Sequence, residues 1–564
     1  MGDNENRKVY KARQVKNYRE MVEYSCKNYA QNIAYKYKKD YTAKNVEYIE
    51  KTYEQVGKDI KAFGTGLLNL DLMGERIVVV GKNRYEWCIS YLATTCSNMV
   101  IVPIDKALPD IEMQRLIERS EAKAIIFDEK YLETVKKVQE KENSNLKTLI
   151  CMDNIQEKGI KTFNEILEEG RNQIKNGDQK YDNIEIDENK MSIMLFTSGT
   201  TNEPKAVMLS QANICANISN IACWVKLYPT DVLLSFLPIH HTFECTITFL
   251  YGFYSGSQVA FCDGLKHIQQ NLKEYKVSVF VAVPLVLETM YKKIQKAIEE
   301  QGKTGLINKM TKISNTLLKA KIDIRKIVFK QILDNFGGHL RVVLYGAAPM
   351  NKATIIGYNN LGISLVQGYG LTETSPVVTA ETDKEKRPGS IGLALANLNL
   401  KIENPDNEGV GEITVKGPSV MLGYYKNPEE TKKVLKDGWF STGDYGYKDK
   451  DGFVYITGRK KDIIVLKNGK NVYPQEIEFL INKIPYVAES LVYSRDKDTT
   501  DTMLCAKIVY DKDAIKQMIG EKTEEEYKEI IWQEVKNINQ ELPIFKKIKN
   551  ITITTEPLKK TTTQ

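Results

Sequence analysis

The sequence has few histidines and no closely spaced cysteines. Four histidines and nine cysteines occur among 564 residues, and no two cysteines form a Cys-x-x-Cys pair. Structural zinc sites need clustered Cys and His ligands, and disulfide-stabilised secreted proteins need paired cysteines. The composition therefore argues against both classes and indicates a protein of a reducing compartment.

The N-terminus lacks the features of a targeting segment. Its first residues, MGDNENRKVYKARQ, contain no apolar run of the kind that a signal peptide has. Gly2 follows Met1, but Asn6 stands where an N-myristoylation motif has Ser or Thr. We therefore expect a cytoplasmic protein.

A strong charge of one sign is also missing. The chain has 80 basic and 73 acidic side chains, which gives a formal net charge of +7. This excess is too small to indicate a nucleic-acid-binding protein. It is compatible with polyanionic substrates or an anionic membrane surface, so peripheral contact with the inner membrane face is an open expectation. A homodimer is equally compatible with the sequence.

Long hydrophobic runs are rare. One stretch without charge, CTITFLYGFYSGSQVAFC at 245–262, reaches the length of a membrane span. Its hydroxyl residues, together with Gly252 and Gly256, favour a buried helix followed by a buried strand over a transmembrane helix.

Short β-branched runs alternate with longer amphipathic stretches between about residues 50 and 460. This alternation predicts an α/β protein with largely parallel sheets. The predicted strands are RIVVVG, VIVPID, AKAIIFD, SIMLFTSG, VLLSFLP, SQVAFC, VSVFVAVP, LRVVLYG and SLVQGYG.

The pattern changes to short strands and charged helices after residue 458. We place a domain boundary between Arg459 and Asp462, with a large domain at 1–458 and a small α+β domain at 459–564. A Lys- and Ile-rich insertion at about 292–337 is patterned for helices, and its simplest interpretation is a decorative addition to the large domain.

The window MLFTSGTTNEPKAVMLSQANI at 194–214 contains a turn rich in Gly and hydroxyl residues, followed by a lysine. Such a turn offers backbone N–H groups and hydroxyls to phosphate oxygens, and the lysine adds a positive charge. The window lacks the Walker pattern GxxxxGK[ST], and GTGLLN at 64–69 lacks the third Gly of the Rossmann fingerprint. Alone, the window could be an ordinary turn.

Six further motifs accompany it in order. Together with the window, they resemble the acyl-adenylate-forming superfamily, which includes acyl-CoA synthetases, adenylation domains of peptide synthetases and beetle luciferases. The motifs are LPIHHTFE (237–244), YGAAPM (345–350), QGYGLTETSP (367–376), GEITVKGPSVMLGYYKNPEET (411–431), GWFSTGDYG (438–446) and GRKKDIIVLKNGKNVYPQEIE (458–478).

The resemblance implies the adenylate-forming fold, with a large N-terminal domain of α/β sheet layers and a small mobile C-terminal domain. It also implies a two-step reaction. A carboxylate attacks the α-phosphorus of ATP to give an acyl-adenylate and pyrophosphate, and the thiol of CoA then displaces AMP. Fixed donors and a metal ion have to compensate the approach of the two anions.

The resemblance assigns roles to residues of the ATP site. The implied phosphate-binding residues are Thr197, Ser198, Gly199, Thr200, Thr201 and Lys205, and the implied adenine- and α-phosphate-binding residues are Gly346, Ala347, Tyr369, Gly370 and Thr372. Glu373 would bind Mg²⁺ through a carboxylate oxygen, and Asp444 and Arg459 would bind the ribose. Taken alone, GYG could be a tight turn, Asp444 an Asx-turn and GRKKD a solvated charge run.

The resemblance also assigns residues outside the ATP site. His241 aligns with a histidine that lines the acyl pocket near the reacting carboxylate, whereas His240 is expected to pack in the fold. Asp462 matches the hinge about which the small domain rotates between the two steps, and Gly469 and Lys470 would then bind CoA.

The flanks of the insertion resemble those of bacterial long-chain fatty acyl-CoA synthetases, with Ala347 in place of a Gly. We therefore expect a long-chain fatty acid–CoA ligase that uses fatty acid, ATP and CoA. Two alternatives stay open: a ligase that loads acyl groups onto a carrier protein, and a catalytically impaired acyl- or nucleotide-binding protein.

The last residues, PLKKTTTQ, match the end of the family motif P-x-x-x-T-x-x-G/Q-K up to Gln564. The family lysine, which reaches the α-phosphate during adenylation, would be the next residue. We expect the natural protein to continue with this lysine. A chain that truly ended at Gln564 would adenylate on the order of 10²- to 10³-fold more slowly, while thioester formation would be less affected.

Overall fold

The computed structural model divides into two compact units. The first contains Met1–Asn399 and Val415–Phe440, and the second contains Leu400–Thr414 and Ser441–Gln564. The structure describes residues 9–40, 42, 45–197, 203–466, 471–496 and 502–558. Residues 441–458, which the sequence assigned to the large domain, fall in the second unit because their strands pair with strands of that unit. The hinge at Asp462 stays a prediction.

The strands are numbered in chain order. They are β1 (Ile33–Lys38), β2 (Tyr48–Thr52), β3 (Arg76–Val80), β4 (Val100–Pro103), β5 (Ala124–Phe127), β6 (Thr148–Cys151), β7 (Lys161–Thr162), β8 (Met191–Thr197), β9 (Lys205–Ser210), β10 (Val232–Ser235), β11 (Gln258–Phe261), β12 (Val279–Ala282), β13 (Val342–Tyr345), β14 (Ser364–Gly370), β15 (Val377–Ala380), β16 (Leu393–Ala394), β17 (Asn399–Glu403), β18 (Gly411–Lys416), β19 (Gly423–Tyr424), β20 (Leu435–Lys436), β21 (Trp439–Lys448), β22 (Val454–Arg459), β23 (Ile464–Val465), β24 (Asn471–Val472), β25 (Val487–Asp496), β26 (Thr502–Tyr510) and β27 (Asn550–Thr554). All nine strands predicted from the sequence are present.

The α-helices are numbered in the same way. They are α1 (Tyr18–Asn28), α2 (Tyr53–Leu68), α3 (Tyr85–Cys96), α4 (Asp110–Ser120), α5 (Leu132–Gln139), α6 (Phe163–Lys175), α7 (Gln211–Ala222), α8 (Gly252–Tyr254), α9 (Ile268–Glu274), α10 (Pro284–Glu300), α11 (Thr304–Lys319), α12 (Arg325–Val328), α13 (Lys330–Leu333), α14 (Lys352–Asn360), α15 (Pro428–Val434), α16 (Pro474–Ile481), α17 (Lys512–Ile519) and α18 (Glu524–Glu541). A π-helical segment, Glu244–Tyr251, precedes α8.

One sheet of the first unit has the strand order β19-β9-β8-β4-β3-β5-β6-β7. The strands from β8 to β7 run parallel, and β9 and β19 add an antiparallel edge. Every residue of β4 and β5 is buried. Strands covered on both faces read as continuous apolar runs, which is why the sequence predicts them well.

The other large sheet of this unit has the order β16-β15-β14-β13-β12-β10-β11-β1-β2. The strands from β14 to β1 are parallel, so β10, β12, β13 and β14 all end at one edge of the sheet. Residues that follow these strands are brought close together there. In open α/β sheets, ligands bind at this carboxyl edge.

The charge-free stretch 245–262 is buried, as predicted. Glu244–Tyr251 and α8 form its helical part, and β11 forms its strand. Among the described residues, no helix is both long enough and apolar enough to cross a membrane.

The residues of the predicted insertion are helical and form the end of α10 and all of α11, α12 and α13. Ile294, Ile307 and Met310 pack against the core beneath the nine-stranded sheet. The outer surface of the same segment exposes Ile322 and Ile327, which are 52% and 79% accessible.

The described residues of the second unit form three groups of paired strands. Strands β17, β18, β21 and β22 form the first, β25, β26 and β27 form the second, and β23 and β24 form a short third sheet. The core beside the second sheet includes Ile477 on α16 and Ile531 on α18. Thr523 precedes helix α18 as its N-cap and forms a reciprocal capping box with Glu526, a known start signal for helices.

Candidate functional site

Lys205 is fixed by the hairpin of β8 and β9. Thr197 is the last residue of β8 and pairs with Lys205, the first residue of β9, and its hydroxyl donates to the Lys205 carbonyl over 3.5 Å. Helix α7 follows β9 directly and is capped by Ser210. Both ends of β9 are therefore held in place, so the backbone of Lys205 is fixed.

The chain between Thr197 and Lys205 carries most of the predicted phosphate-binding residues. Ser198, Gly199, Thr200 and Thr201 lie outside the described residues. Their proposed contacts with phosphate therefore stay predictions.

The Lys205 side chain points at two residues of the 411–431 motif. Its Nζ lies 2.6 Å from Glu430 Oε2 and 5.1 Å from the centre of the Tyr424 ring. Lys205 and Lys433 both bond to the Glu430 carboxylate, and these contacts lower the Glu430 pKa to about 2. Glu430 is therefore a carboxylate at any physiological pH.

Tyr424 links Lys205 to Glu373. Its hydroxyl donates to Glu373 Oε1 over 3.0 Å, and the Met421 N–H donates to the Glu373 carbonyl over 2.8 Å. Burial, and after it the Glu373 carboxylate, raises the pKa of Tyr424, so this hydroxyl stays a donor. The structure thus brings the predicted lysine and carboxylate to the two sides of one tyrosine.

Sequence reasoning assigned no role to Tyr424 or Glu430. Tyr424 reaches the site because β19 pairs with β9 across more than two hundred residues of sequence, with Tyr424 opposite Val207. The only sequence signal was the motif that contains both residues.

The predicted adenine-binding residues meet at the carboxyl edge of the nine-stranded sheet. Gly346 and Ala347 follow β13, and Tyr369 and Gly370 end the adjacent parallel strand β14. A Cβ at Gly346 would lie 2.7 Å from the Gly368 carbonyl oxygen, so only glycine fits there.

Ala347 adopts a left-handed backbone conformation, with φ of 74°. This conformation costs an L-residue roughly 1–2 kcal/mol relative to glycine. The strain gives a physical reason for the Gly that the family resemblance implies at this position.

Thr372 and Glu373 lie in a short 3₁₀ turn, Thr372–Thr374, directly after β14. The chain on the two sides of this turn comes very close together, because a Cβ at Gly370, the last residue of β14, would lie 1.9 Å from the Pro376 carbonyl oxygen. This close approach fixes where Thr372 and Glu373 project from the sheet edge.

His241 lies six residues beyond β10, at the same sheet edge. The Phe243 N–H donates to its Nδ1 over 3.2 Å, so the neutral ring carries its proton on Nε2. His241 is exposed to solvent, but the protein around its ring partly removes water from it, and this desolvation lowers the pKa of His241. His241 is therefore a neutral donor at pH 7.

His240 faces another way. It is half-buried, and its Nδ1 lies 3.8 Å from Asp105 Oδ1. Burial lowers its pKa to about 4 despite the opposing effect of Asp105. These contacts agree with the packing role predicted for it.

Asp444 and Arg459 are neighbours in the second unit. They lie opposite each other on β21 and β22, and Arg459 Nε donates to Asp444 Oδ1 over 2.7 Å. Asp462 lies in the next turn and accepts a bond from Gln475 Nε2 over 3.2 Å. Gly469 and Lys470 lie outside the described residues, as does the chain after Leu558.

A cavity of about 550 Å³ adjoins the lysine of the first unit. Cationic, acidic and aromatic side chains share its wall. The lining residues are Arg119, Glu121, Phe196, Glu203, Pro204, Lys205, Ala206, Tyr424, Tyr425, Lys426, Asn427 and Glu430.

Comparisons with known proteins agree with the motifs. The sequence model of the AMP-binding enzyme family matches residues 22–425, and that of the AMP-binding enzyme C-terminal domain matches residues 461–564. Long-chain-fatty-acid–CoA ligase 5 of Mus musculus is 30% identical over 563 residues, covering 92% of this chain and 81% of the relative. Long-chain-fatty-acid–CoA ligase 6 of the same organism is 30% identical over 498 residues, covering 82% and 70%.

A plant relative has a different acceptor in its name. The chloroplastic long-chain-fatty-acid–[acyl-carrier-protein] ligase AEE15 of Arabidopsis thaliana is 28% identical, covering 87% of this chain and 76% of the relative. Among solved structures, ATP-bound MatB from Rhodopseudomonas palustris superposes with a TM-score of 0.73 at 22% identity, covering 97% of this chain and 96% of that chain. This similarity establishes the fold.

Proposed function

Because the chain belongs to the AMP-binding enzyme family, we propose that it is an AMP-forming long-chain fatty acid–CoA ligase. It activates a fatty acid to an acyl-adenylate with release of pyrophosphate and then transfers the acyl group to CoA. The observation that carries the proposal is the 30% identity to a long-chain fatty acid ligase over 92% of the chain.

The first unit supplies the groups that adenylation needs. Lys205 brings an ammonium group toward the proposed phosphate site, and Thr197 marks the start of the loop that would bind the phosphates. Gly346, Ala347 and Tyr369 are proposed to bind adenine, since they meet at one sheet edge. Fixed donors of this kind stabilise charge that develops in the transition state.

Glu373 fits the proposed Mg²⁺. Proteins usually hold Mg²⁺ through one or two carboxylates together with substrate phosphates and water, so a single carboxylate is enough. The Tyr424 hydroxyl orients the Glu373 carboxylate from the side of Lys205. When bound, the ion would supply positive charge to the phosphate oxygens.

His241 is proposed to meet the carboxylate of the fatty acid. Its neutral ring donates through Nε2, because Nδ1 already accepts the Phe243 N–H. A neutral donor can orient the attacking carboxylate without forming an ion pair that would lower its nucleophilicity. This geometry supports the role that the family resemblance implies.

The second unit carries the remaining residues to which a role is proposed. Asp444 and Arg459 are already paired with each other and would bind the ribose hydroxyls together. Asp462 is proposed as the hinge, and Gly469 and Lys470 as contacts for CoA.

We also propose contact with an anionic membrane surface, which would supply a long-chain substrate of low solubility. Residues 284–330 contain eleven Lys and Arg residues against four Asp and Glu residues. This segment has the same net charge as the entire chain, +7, and it exposes several large apolar side chains.

A carrier-protein ligase is the second candidate, and the similarity to the chloroplastic carrier-protein ligase favours it. Both candidates release pyrophosphate with the same acids and differ only in the acceptor. The acceptor therefore has to be tested directly.

The test is a pyrophosphate-release assay over acetate, benzoate and palmitate, followed by acyl transfer to CoA or to a holo-carrier protein. We expect release with palmitate and formation of palmitoyl-CoA. Release with acetate or benzoate but not palmitate would overturn the chain-length proposal. Transfer to the carrier protein alone would support the second candidate.

A further inference from the structure

The ammonium group of Lys205 already has an anionic partner in the protein. Glu430 Oε2 lies 2.6 Å from Lys205 Nζ, and the two side chains are 15% and 23% exposed. Both line the cavity of about 550 Å³, so a small polyanion can reach the ammonium group from that side. A carboxylate and a phosphate oxygen compete for the same donor.

We infer that Glu430 is a positioning residue that holds Lys205 between turnovers and competes with pyrophosphate for it, so that the product leaves more readily. This inference rests on the proposed function, because it takes Lys205 as the lysine that binds phosphate. It assigns a role to a residue that lies beside, and not within, the proposed ATP contacts.

The backbone around Glu430 is fixed more firmly than the lysine side chain. Asn427 caps α15 and accepts the Glu430 N–H over 3.1 Å. Thr431 Oγ1 accepts the Tyr424 N–H over 2.9 Å, which ties α15 to β19. The lysine reaches Glu430 through a flexible four-carbon chain, so it is the lysine that moves when an anion binds.

Glu430 does not lose its counter-charge when Lys205 turns away. Its other carboxylate oxygen pairs with Lys433, three residues further along α15. Releasing Lys205 to a phosphate therefore leaves no unpaired carboxylate. Moving Lys205 from Glu430 to a phosphate therefore costs little free energy. A step that is reversed in each turnover has to meet this condition.

The competition affects pyrophosphate more than ATP. ATP is also held through its adenine and ribose, whereas free pyrophosphate has only the contacts to its phosphates. The negative charge of Glu430 beside Lys205 therefore removes a larger share of the binding free energy of pyrophosphate than of ATP. The asymmetry favours release after the α-phosphorus has been transferred.

The test is direct binding of inorganic pyrophosphate, measured by isothermal titration calorimetry with the full chain. Glu430→Gln keeps the size of the side chain and removes its charge. We expect the variant to bind pyrophosphate about three- to fivefold more tightly, which is the upper half of the range for a partly exposed ion pair. Product inhibition by pyrophosphate should increase by the same factor. A purely structural role for Glu430 would weaken binding instead.

Two controls separate the inference from general electrostatics. Glu429→Gln removes a charge in the same turn, from a side chain that is 80% exposed and lies 3.8 Å from Lys432. It should leave pyrophosphate binding unchanged. In a Lys205→Ala background, Glu430→Gln should also have no effect, because the effect acts through the lysine.

The outcomes are distinguishable. Unchanged or weaker binding by Glu430→Gln, or equal tightening in the Lys205→Ala background, would overturn the inference alone. If the wild-type chain binds no pyrophosphate, the inference fails, whereas the proposed function fails only if palmitate and ATP give no pyrophosphate release.

Discussion

A buried carboxyl group lies three residues beyond the proposed acyl-site histidine. Glu244 is fully buried, and it accepts bonds from the Ser235 hydroxyl over 2.7 Å and from the Thr248 hydroxyl over 2.8 Å. Burial nevertheless raises its pKa to about 8, from an ordinary value of 4.5. At pH 7 this group is therefore mainly a neutral acid in the folded protein.

The raised pKa makes stability depend on pH. The folded chain holds the Glu244 proton between about pH 4.5 and 8, while the unfolded chain releases it. The contribution of Glu244 to the free energy of unfolding is therefore full below pH 4.5 and is lost as the pH rises to about 8. The loss is on the order of 1.4 kcal/mol per pH unit within that window.

We expect Glu244→Gln to gain stability relative to the wild type as the pH rises, because the amide cannot ionise. The measurement is the difference in Tm between variant and wild type, taken at intervals from pH 5 to 9. Glu525→Gln, on the exposed surface of α18, is the control and should show a constant difference. A constant difference for Glu244→Gln as well would contradict the raised pKa of Glu244.

Tyr424 and Glu430 show what residue-level sequence reasoning cannot find. Lys205, Glu373 and His241 stand in motifs whose chemistry can be read locally or through the family resemblance. The Tyr424 hydroxyl lies 3.0 Å from Glu373 Oε1, and Glu430 Oε2 lies 2.6 Å from Lys205 Nζ. In both pairs the two residues are far apart in the chain. Their positions depend on tertiary pairing, which the sequence does not display.

At the scale of elements, the end of β14 packs closely against the chain that follows the turn Thr372–Thr374. A Cβ at Gly370 would lie 1.9 Å from the Pro376 carbonyl oxygen and 2.9 Å from the Val377 Cα. Neither atom belongs to a flexible side chain, so the backbone itself would have to move. The turn Thr372–Thr374, which carries Glu373, would move with it.

We expect Gly370→Ala to lower both stability and activity. Forcing an extra carbon into a packed site costs typically 1–3 kcal/mol, and a shift of about 1 Å in a positioned group can reduce the rate on the order of 10²-fold. Tm and pyrophosphate release measure the two effects. An unchanged Tm together with unchanged pyrophosphate release would show that the turn tolerates the methyl group.

Gly305→Ala is the matched control, because it adds the same methyl group where no atom lies within 4 Å. Gly305 is in the first turn of α11, and alanine favours a helix over glycine by roughly 0.5–1 kcal/mol. This variant should be slightly more stable than the wild type and fully active.

Some strands can be predicted from the sequence and others cannot. The nine predicted strands are short and mostly buried apolar runs, which can be recognised in the sequence. Strands β9 and β19 are not revealed in this way, because β9 directly continues the phosphate turn and β19 has only two residues. The sequence does not predict the hairpin β1–β2 either, since every residue of β2 is exposed or half-buried.

At the scale of the whole molecule, charge is distributed unevenly. Residues 284–330 have a net charge of +7, which equals the net charge of the chain, so the other 517 residues are balanced. The same segment exposes Leu285, Leu306, Ile322 and Ile327, each more than half accessible. Basic and apolar side chains together are typical of surfaces that rest on anionic lipid headgroups.

We expect the protein to bind vesicles that contain phosphatidylglycerol and not vesicles of phosphatidylcholine alone, with the bound fraction falling as salt is added. Each basic residue near such a surface contributes about 1 kcal/mol. Replacing Lys319, Lys321 and Lys326 together by Glu should therefore weaken binding at least about tenfold in a co-sedimentation assay. Pyrophosphate release with dissolved fatty acid should remain unchanged, because these residues lie outside the proposed active site.

The control for this experiment reverses the same amount of charge elsewhere. Lys158, Lys175 and Lys528 are exposed and lie outside the basic segment, so replacing all three by Glu changes the net charge of the chain equally. If binding depends on the local surface, this variant should keep most of its affinity for the anionic vesicles. Equal loss in both variants would mean that total charge, and not the 284–330 surface, determines membrane binding.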